Sequence, residues 1–203
     1  MPDLIPEVEK RPLSFVCLGR VSPEKEIEKI IEILNRVRDA HGHDVRLTLI
    51  GKLDESDYSQ KIEKLIAKNS QWITPAGFLT ADAKQNLLAE QQFAIHACRI
   101  EVFGIAVAEM ASLGCLPVVP KTGGTCEIVE SEKLPYESVD QAVEKILKLI
   151  ENPEQAETFR KHLKTSVHRF GPTAFSSELR QLVGSQIAAP KVAEKKRESR
   201  FVK

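Results

Sequence analysis

Short apolar runs that end in glycine or a polar turn, each followed by a helical pattern, constrain this chain more than any other feature. The runs at 13–18, 45–50, 93–97 and 116–119 have the length of buried strands and are too short for core helices. Between them apolar side chains recur at helical spacing, as with Ile27, Ile30, Ile31, Leu34 and Val37. Two weaker runs, at 72–73 and 134–136, read as a brief third strand and a sixth, edge strand. Strands alternating with helices imply a doubly wound, mainly parallel α/β sheet. In such sheets ligands bind beyond the carboxyl ends of the strands. The loops 19–25, 51–54, 97–104 and 119–125 all come after strands, which places them along one sheet edge.

Local signals set the helices. Ser22 reads as an N-cap with Pro23 at the first helical position, so a helix is expected from there to about residue 41, stopped by Gly42. Others are expected near 56–68, 81–91, 104–113, 139–151 and 153–167, with a last short one near 173–183. Gly123-Gly124 should turn the chain into a short helix ending near Val129. Residues 1–12 hold three prolines and read as a linker, and 13–187 as the folded domain. Residues 188–203 are rich in Lys, Arg and Glu and read as a disordered tail.

Composition excludes several classes of function. Formal net charge over the 203 residues is zero, which argues against a broad nucleic-acid-binding face. Cys17, Cys98, Cys115 and Cys126 form no Cys-x-x-Cys pair and are expected to be buried free thiols of a reducing compartment. No metal site is expected, because neither they nor His41, His43, His96, His162 and His168 show ligand spacing. His96, at the end of the fourth strand, is expected to be satisfied by backbone. The first residues lack the basic start and apolar core of a signal peptide, and no apolar run approaches the ~20 residues of a membrane span. A cytoplasmic protein is expected. Neither Gly-x-x-x-x-Gly-Lys-Ser/Thr nor Gly-x-Gly-x-x-Gly occurs after the first strand, which weighs against a phosphate-loop NTPase and an NAD-dependent oxidoreductase.

The residues left for chemistry lie in the strand-end loops. Arg20 comes directly after the first strand, and Lys25 lies in the first turn of the helix expected from Pro23. Two cations beside free helix N–H groups suit a diphosphate, since Arg grips two oxygens and Lys adds a point charge. Glu101 lies in the loop before a helix opened by Gly104, and Glu109 lies within that helix in an otherwise apolar stretch. Eight residues apart across a non-helical start, they are no acid/base pair on one helix face. They suit two carboxylates accepting from hydroxyls at separate places on one ligand. Gly51, Gly123 and Gly124 could be plain turns, and Lys121 and Glu127 are expected at the surface.

In order along the chain, these pieces resemble the C-terminal, donor-binding domain of GT-B glycosyltransferases of the group 1 family, also called family 4. Gly19-Arg20-Val21-x3-Lys25 resembles the family's turn after the first strand, and Gly51 its glycine after the second. The segments Ala76-Gly77-Phe78-Leu79, Glu101-x7-Glu109 with Phe103-Gly104, Gly114-x2-Pro117 and Gly123-Gly124-x2-Glu127 are similar to the family's later segments. Glu26 stands where the family has glycine after the lysine, and Ala97-Cys98 where it has Pro-Ser.

The resemblance implies a Rossmann-like sheet forming the C-terminal half of a GT-B fold, and retaining, metal-independent transfer from a nucleotide-diphosphate sugar, UDP- or GDP-linked, with no separate cofactor. It assigns Arg20 and Lys25 to the diphosphate and Glu101 to the sugar hydroxyls. The backbone near Phe103, Gly104 and Ile105 would hold sugar and phosphate, Glu109 the ribose, and Leu79 with neighbours near Gly51 the base, with Gly19 also among the donor-binding residues. An N-terminal GT-B domain is expected in cis or as a partner subunit, and could bring peripheral contact with a membrane. Without it the chain is expected to be an inactive hexosyltransferase-like half. The alternative is a non-catalytic or regulatory nucleotide-sugar binding module.

Overall fold

The computed structural model describes residues 13–42 and 44–187. The expected linker and charged tail lie outside the described residues. Six strands form one parallel sheet: β1 (Ser14–Leu18), β2 (Arg46–Ile50), β3 (Ile73–Gly77), β4 (Phe93–Ile95), β5 (Leu116–Pro120) and β6 (Pro135–Tyr136), in the order β3-β2-β1-β4-β5-β6. The doubly wound, Rossmann-like expectation therefore holds. The third strand extends to Gly77, beyond the brief run expected; an edge strand tolerates Pro75.

β1, β4, β5 and β6 are buried almost throughout because they are nearly continuous apolar runs, as strands covered on both faces require, whereas the edge strand β3 exposes Thr74 and Pro75. Phe15 pairs in register with Phe93 across β1 and β4, and their rings stack 4.9 Å apart. That contact fixes the two central strands, at whose ends the candidate site lies. The helices are α1 (Ile27–His41), α2 (Asp57–Lys68), α3 (Ala81–Ala89), α4 (Ile105–Ser112), α5 (Thr125–Val129), α6 (Val139–Glu151) and α7 (Pro153–Ser166). In α1, Ile27, Ile30, Ile31, Leu34 and Val37 are buried, the stripe read from the sequence. α1 packs against α6, and α4 against α7. A second compact unit begins at Arg169 and carries α8 (Pro172–Ile187), on which Phe175, Leu179, Leu182 and Val183 are exposed.

The helix expected from Pro23 is broken. Pro23–Lys25 make one 3-10 turn, Glu26 adopts a left-handed backbone (φ 46°, ψ 48°), and α1 begins only at Ile27. Pro, Glu and Lys all suit a helix start, so local propensity gives no sign of the break. Tertiary contacts account for it: Lys25 reaches Glu101, while the Ile27 N–H donates to the Tyr58 hydroxyl at 2.9 Å. All four cysteines are free; Cys17, Cys98 and Cys115 are buried as expected, whereas Cys126 is only half-buried.

Candidate functional site

β1 and β4 are adjacent and their connections diverge, which makes their carboxyl ends the topological switch point of the sheet. The turn Gly19-Arg20 leaves β1 there, and residues 96–104 leave β4 beside it. Across this junction the Lys25 ammonium donates to Glu101 Oε2 at 2.6 Å, with the two side chains 19% and 22% exposed. The Gly104 backbone amide adds a small stabilising effect on the Glu101 carboxylate. The Lys25 hydrogen bond is the largest of several effects that hold the Glu101 carboxyl below its ordinary value, so it is ionised at neutral pH. It is then an acceptor-only group at a helix start.

His96 Nε2 lies 3.6 Å from the same carboxylate oxygen. Burial, reinforced by the Lys25 charge, pushes the imidazole down to about 4, so it is neutral at pH 7 and makes no ion pair. The backbone N–H of His96 donates to Val118 O, but Nε2 is buried without a hydrogen-bond partner. The expectation of a side chain satisfied by backbone is thus overturned: the fold leaves an imidazole nitrogen without a partner beside Glu101. Cys98 adds a buried thiol, and ligand atoms of His96, Cys98 and Glu101 all lie within 4.8 Å of one another. Sequence reasoning missed this cluster because the three residues fit no metal motif. The signal present was His-x-Cys in an extended segment, where alternate side chains share a side.

Two glycines hold the Glu101 loop. A Cβ on Gly123 (φ 75°) would stand 2.3 Å from Glu101 O, and one on Gly124 would stand 2.2 Å from Val102 O. The closeness lets the Gly124 N–H donate to Glu101 O at 2.9 Å, while the Thr122 hydroxyl donates to Arg99 O at 3.0 Å. The glycine pair is therefore a brace for the loop rather than a plain turn. Gly51 plays a similar part: a Cβ there would stand 1.9 Å from Gly19 O, so only glycine allows the exits of β1 and β2 to approach.

The remaining candidates surround this centre. Arg20 is 83% exposed and pairs with Glu24 at 3.1 Å, on the rim rather than at Glu101. Glu109 is half-buried on α4 and accepts from Lys84 of α3 at 2.5 Å. Lys84 was not read from the sequence; it lies 25 residues from Glu109 in no motif. Gly104 (φ 96°) caps α4, where a side chain would meet Thr125 at 2.7 Å. Ile105 and Phe103 are 71% and 43% exposed beside it, and Leu79 is half-buried. Lys121 and Glu127 are exposed, as expected, with Lys121 on Glu137 at 2.7 Å. A groove of about 500 Å³ runs along α2, lined by Lys61, Lys64 and Lys68. It gathers no carboxylate opposite a cation beyond Asp57, and its lysines sit on one helix surface, so the switch point is the stronger candidate.

The arrangement joins a fixed carboxylate, a cation and a helix start at the crevice where doubly wound sheets bind their ligands. The family profile "Glycosyl transferases group 1" matches residues 5–165, and the chain belongs to that family. The "Phosphatidylinositol N-acetylglucosaminyltransferase GPI3 subunit" of Saccharomyces cerevisiae is 27% identical over 124 residues, 60% of this chain but 26% of that protein. The chain thus spans about a quarter of the curated relatives it matches. The solved catalytic domain of cholesterol-alpha-glucosyltransferase from Helicobacter pylori is 23% identical, with a TM-score of 0.66 and coverage of 78% of this chain and 99% of that one. A glycosyltransferase from Rickettsia africae gives a TM-score of 0.75 at 16% identity over 89% of this chain and 49% of that one. Anabaena HepE, solved with UDP and glucose, gives 0.69 at 19% identity over 90% and 50%. These likenesses establish the GT-B type of fold. Among the described residues, no helix is long and apolar enough to cross a membrane.

Proposed function

We propose that the chain is the donor-binding half of a retaining glycosyltransferase, taking a nucleotide-diphosphate sugar, UDP- or GDP-linked. The observation that carries this reading is the Lys25–Glu101 pair at the β1/β4 switch point. A diphosphate would draw the Lys25 ammonium from Glu101, and sugar hydroxyls would take the carboxylate's free lone pairs, so each group exchanges one partner for another. Arg20 would leave Glu24 on the rim and close on the diphosphate. During transfer, negative charge grows on the departing nucleoside diphosphate, and the two cations would stabilise it without a metal. Glu109 would trade Lys84 for the ribose hydroxyls. The backbone near Phe103, Gly104 and Ile105 would hold the sugar-phosphate junction, with Leu79 and the surroundings of Gly51 beside the base and Gly19 in the turn that carries Arg20.

Transfer also needs an acceptor wall, because reacting groups must be held together and away from water. An N-terminal GT-B domain, in cis or on a partner subunit, would supply it. The UDP in the HepE structure and the partial coverage of the neighbours support both points. The free thiols suit a cytoplasmic setting. Thermal melting with millimolar UDP or GDP tests the proposal: either nucleotide should raise the melting temperature, and Arg20→Ala or Glu109→Ala should remove the gain. No shift with either nucleotide overturns it.

A further inference from the structure

We propose that His96, Cys98 and Glu101 form a binding site for a thiophilic divalent cation such as Zn²⁺, which shuts the sugar end of the crevice when bound. The three side chains bring an imidazole, a thiol and a carboxylate within 4.8 Å of one another. Zinc bonds of ~2.0–2.3 Å at tetrahedral angles set neighbouring donors about 3.3–3.8 Å apart. The 3.6 Å between His96 Nε2 and Glu101 Oε2 is about 0.1 Å beyond the nitrogen–oxygen part of that interval, and the set as a whole, within 4.8 Å, has to draw in by up to about 1 Å around the ion. His96 Nε2 is buried, without a hydrogen-bond partner, on a side chain 3% exposed. A ring nitrogen with no partner can serve as a zinc ligand once the ring's proton sits on Nδ1. Cys98 is 2% exposed and in no disulfide. A thiolate with an imidazole selects zinc over magnesium or calcium, which prefer all-oxygen sites. Three protein ligands leave the fourth position to water.

Lys25 now occupies one side of this site, with its ammonium on Glu101 Oε2. A divalent cation would replace it at that oxygen. Lys25 would keep its proton and move toward solvent, and the Cys98 thiol would release one proton to the buffer on becoming a ligand. The inhibitory consequence rests on the donor-site reading above, because metal and sugar would compete for Glu101; the metal site itself does not.

Co²⁺ titrated into the full chain, kept reduced by a phosphine, tests the site by absorption. Thiolate ligation should give a sulfur-to-cobalt charge-transfer band that Zn²⁺ abolishes. Cys98→Ser should remove the band, and Glu101→Gln should weaken Co²⁺ binding about 10-fold or more. Lys25→Met, which deletes the opposing charge, should tighten it. Circular dichroism reports whether each variant is folded; should Cys98→Ser not fold, the Glu101→Gln and Lys25→Met pair decides by their opposite effects. No band with the wild-type chain overturns the proposal. So does a band undiminished in Cys98→Ser, which would belong to another cysteine. Nucleotide binding without Co²⁺ binding refutes the metal site alone. Co²⁺ binding through Cys98 without nucleotide binding supports it and refutes the donor site.

Discussion

Lys25→Met removes the ammonium from Glu101 while keeping most of the side chain's apolar length. The lost contact is a charge-assisted hydrogen bond of 2.6 Å between side chains about one-fifth exposed. Hydrogen bonds to charged groups contribute about 1.5–3 kcal/mol, and the partial exposure of both side chains places this one near the low end. A loss of about 1–2 kcal/mol lowers the melting temperature of a chain this size by about 3–6 °C. The effect depends on pH in a direction set by Glu101. Its folded-state carboxyl lies below its ordinary value, chiefly through Lys25. As pH falls, the unfolded chain therefore takes up the proton first. The stabilisation is complete above the ordinary carboxylate range and is lost as pH drops through the folded value. Melts of wild type and Lys25→Met should differ at pH 7, begin to converge below about pH 4, the ordinary carboxylate value, and meet only below the lowered folded value. Equal melting temperatures at pH 7, or a gap unchanged on acidification, would rule out a stabilising Lys25–Glu101 pair.

Single positions carry further predictions. Gly123→Ala drives a Cβ to 2.3 Å from Glu101 O at φ 75° and should cost about 2–4 kcal/mol in urea unfolding. Glu26→Gly relieves the left-handed backbone at the price of added unfolded-chain entropy and the Lys29 ion pair, and should raise stability by about 0.5–1 kcal/mol in the same assay. NMR titration should find His96 neutral at pH 7 and protonating near pH 4. Because its folded value is depressed, the unfolded chain binds that proton first, and the His96 contribution should fall as pH drops from about 6.5 toward 4.

The sheet was legible because parallel strands buried on both faces must be largely apolar, as β1, β4 and β5 are, and because glycine ends β1 and β2. Lys25 and Glu101 were legible as motif residues, and the fold joins them. Arg20 was legible as a cation after β1, but its present partner, Glu24, is a side-chain choice that spacing does not determine. Lys84 was not legible: an exposed-looking lysine on α3 reaches Glu109 only because the tertiary fold brings the two side chains together. The break at Glu26 escaped for a different reason, since its cause lies in contacts with Tyr58 and Glu101, far away in sequence. The bracing role of Gly123-Gly124 escaped likewise, because a Gly-Gly pair reads as a turn until the carbonyls of Glu101 and Val102 are found against it.

Binding of the donor at the ends of β1 and β4 is most directly tested by an amide chemical-shift map of the isotope-labelled chain, titrated with UDP-sugar. The perturbed amides should cluster at residues 19–25, around Gly51 and at 96–109, with Glu101→Gln abolishing the changes in the last group. Perturbations confined to the lysine-lined groove of α2, or none at millimolar ligand, would contradict a donor site at that sheet edge.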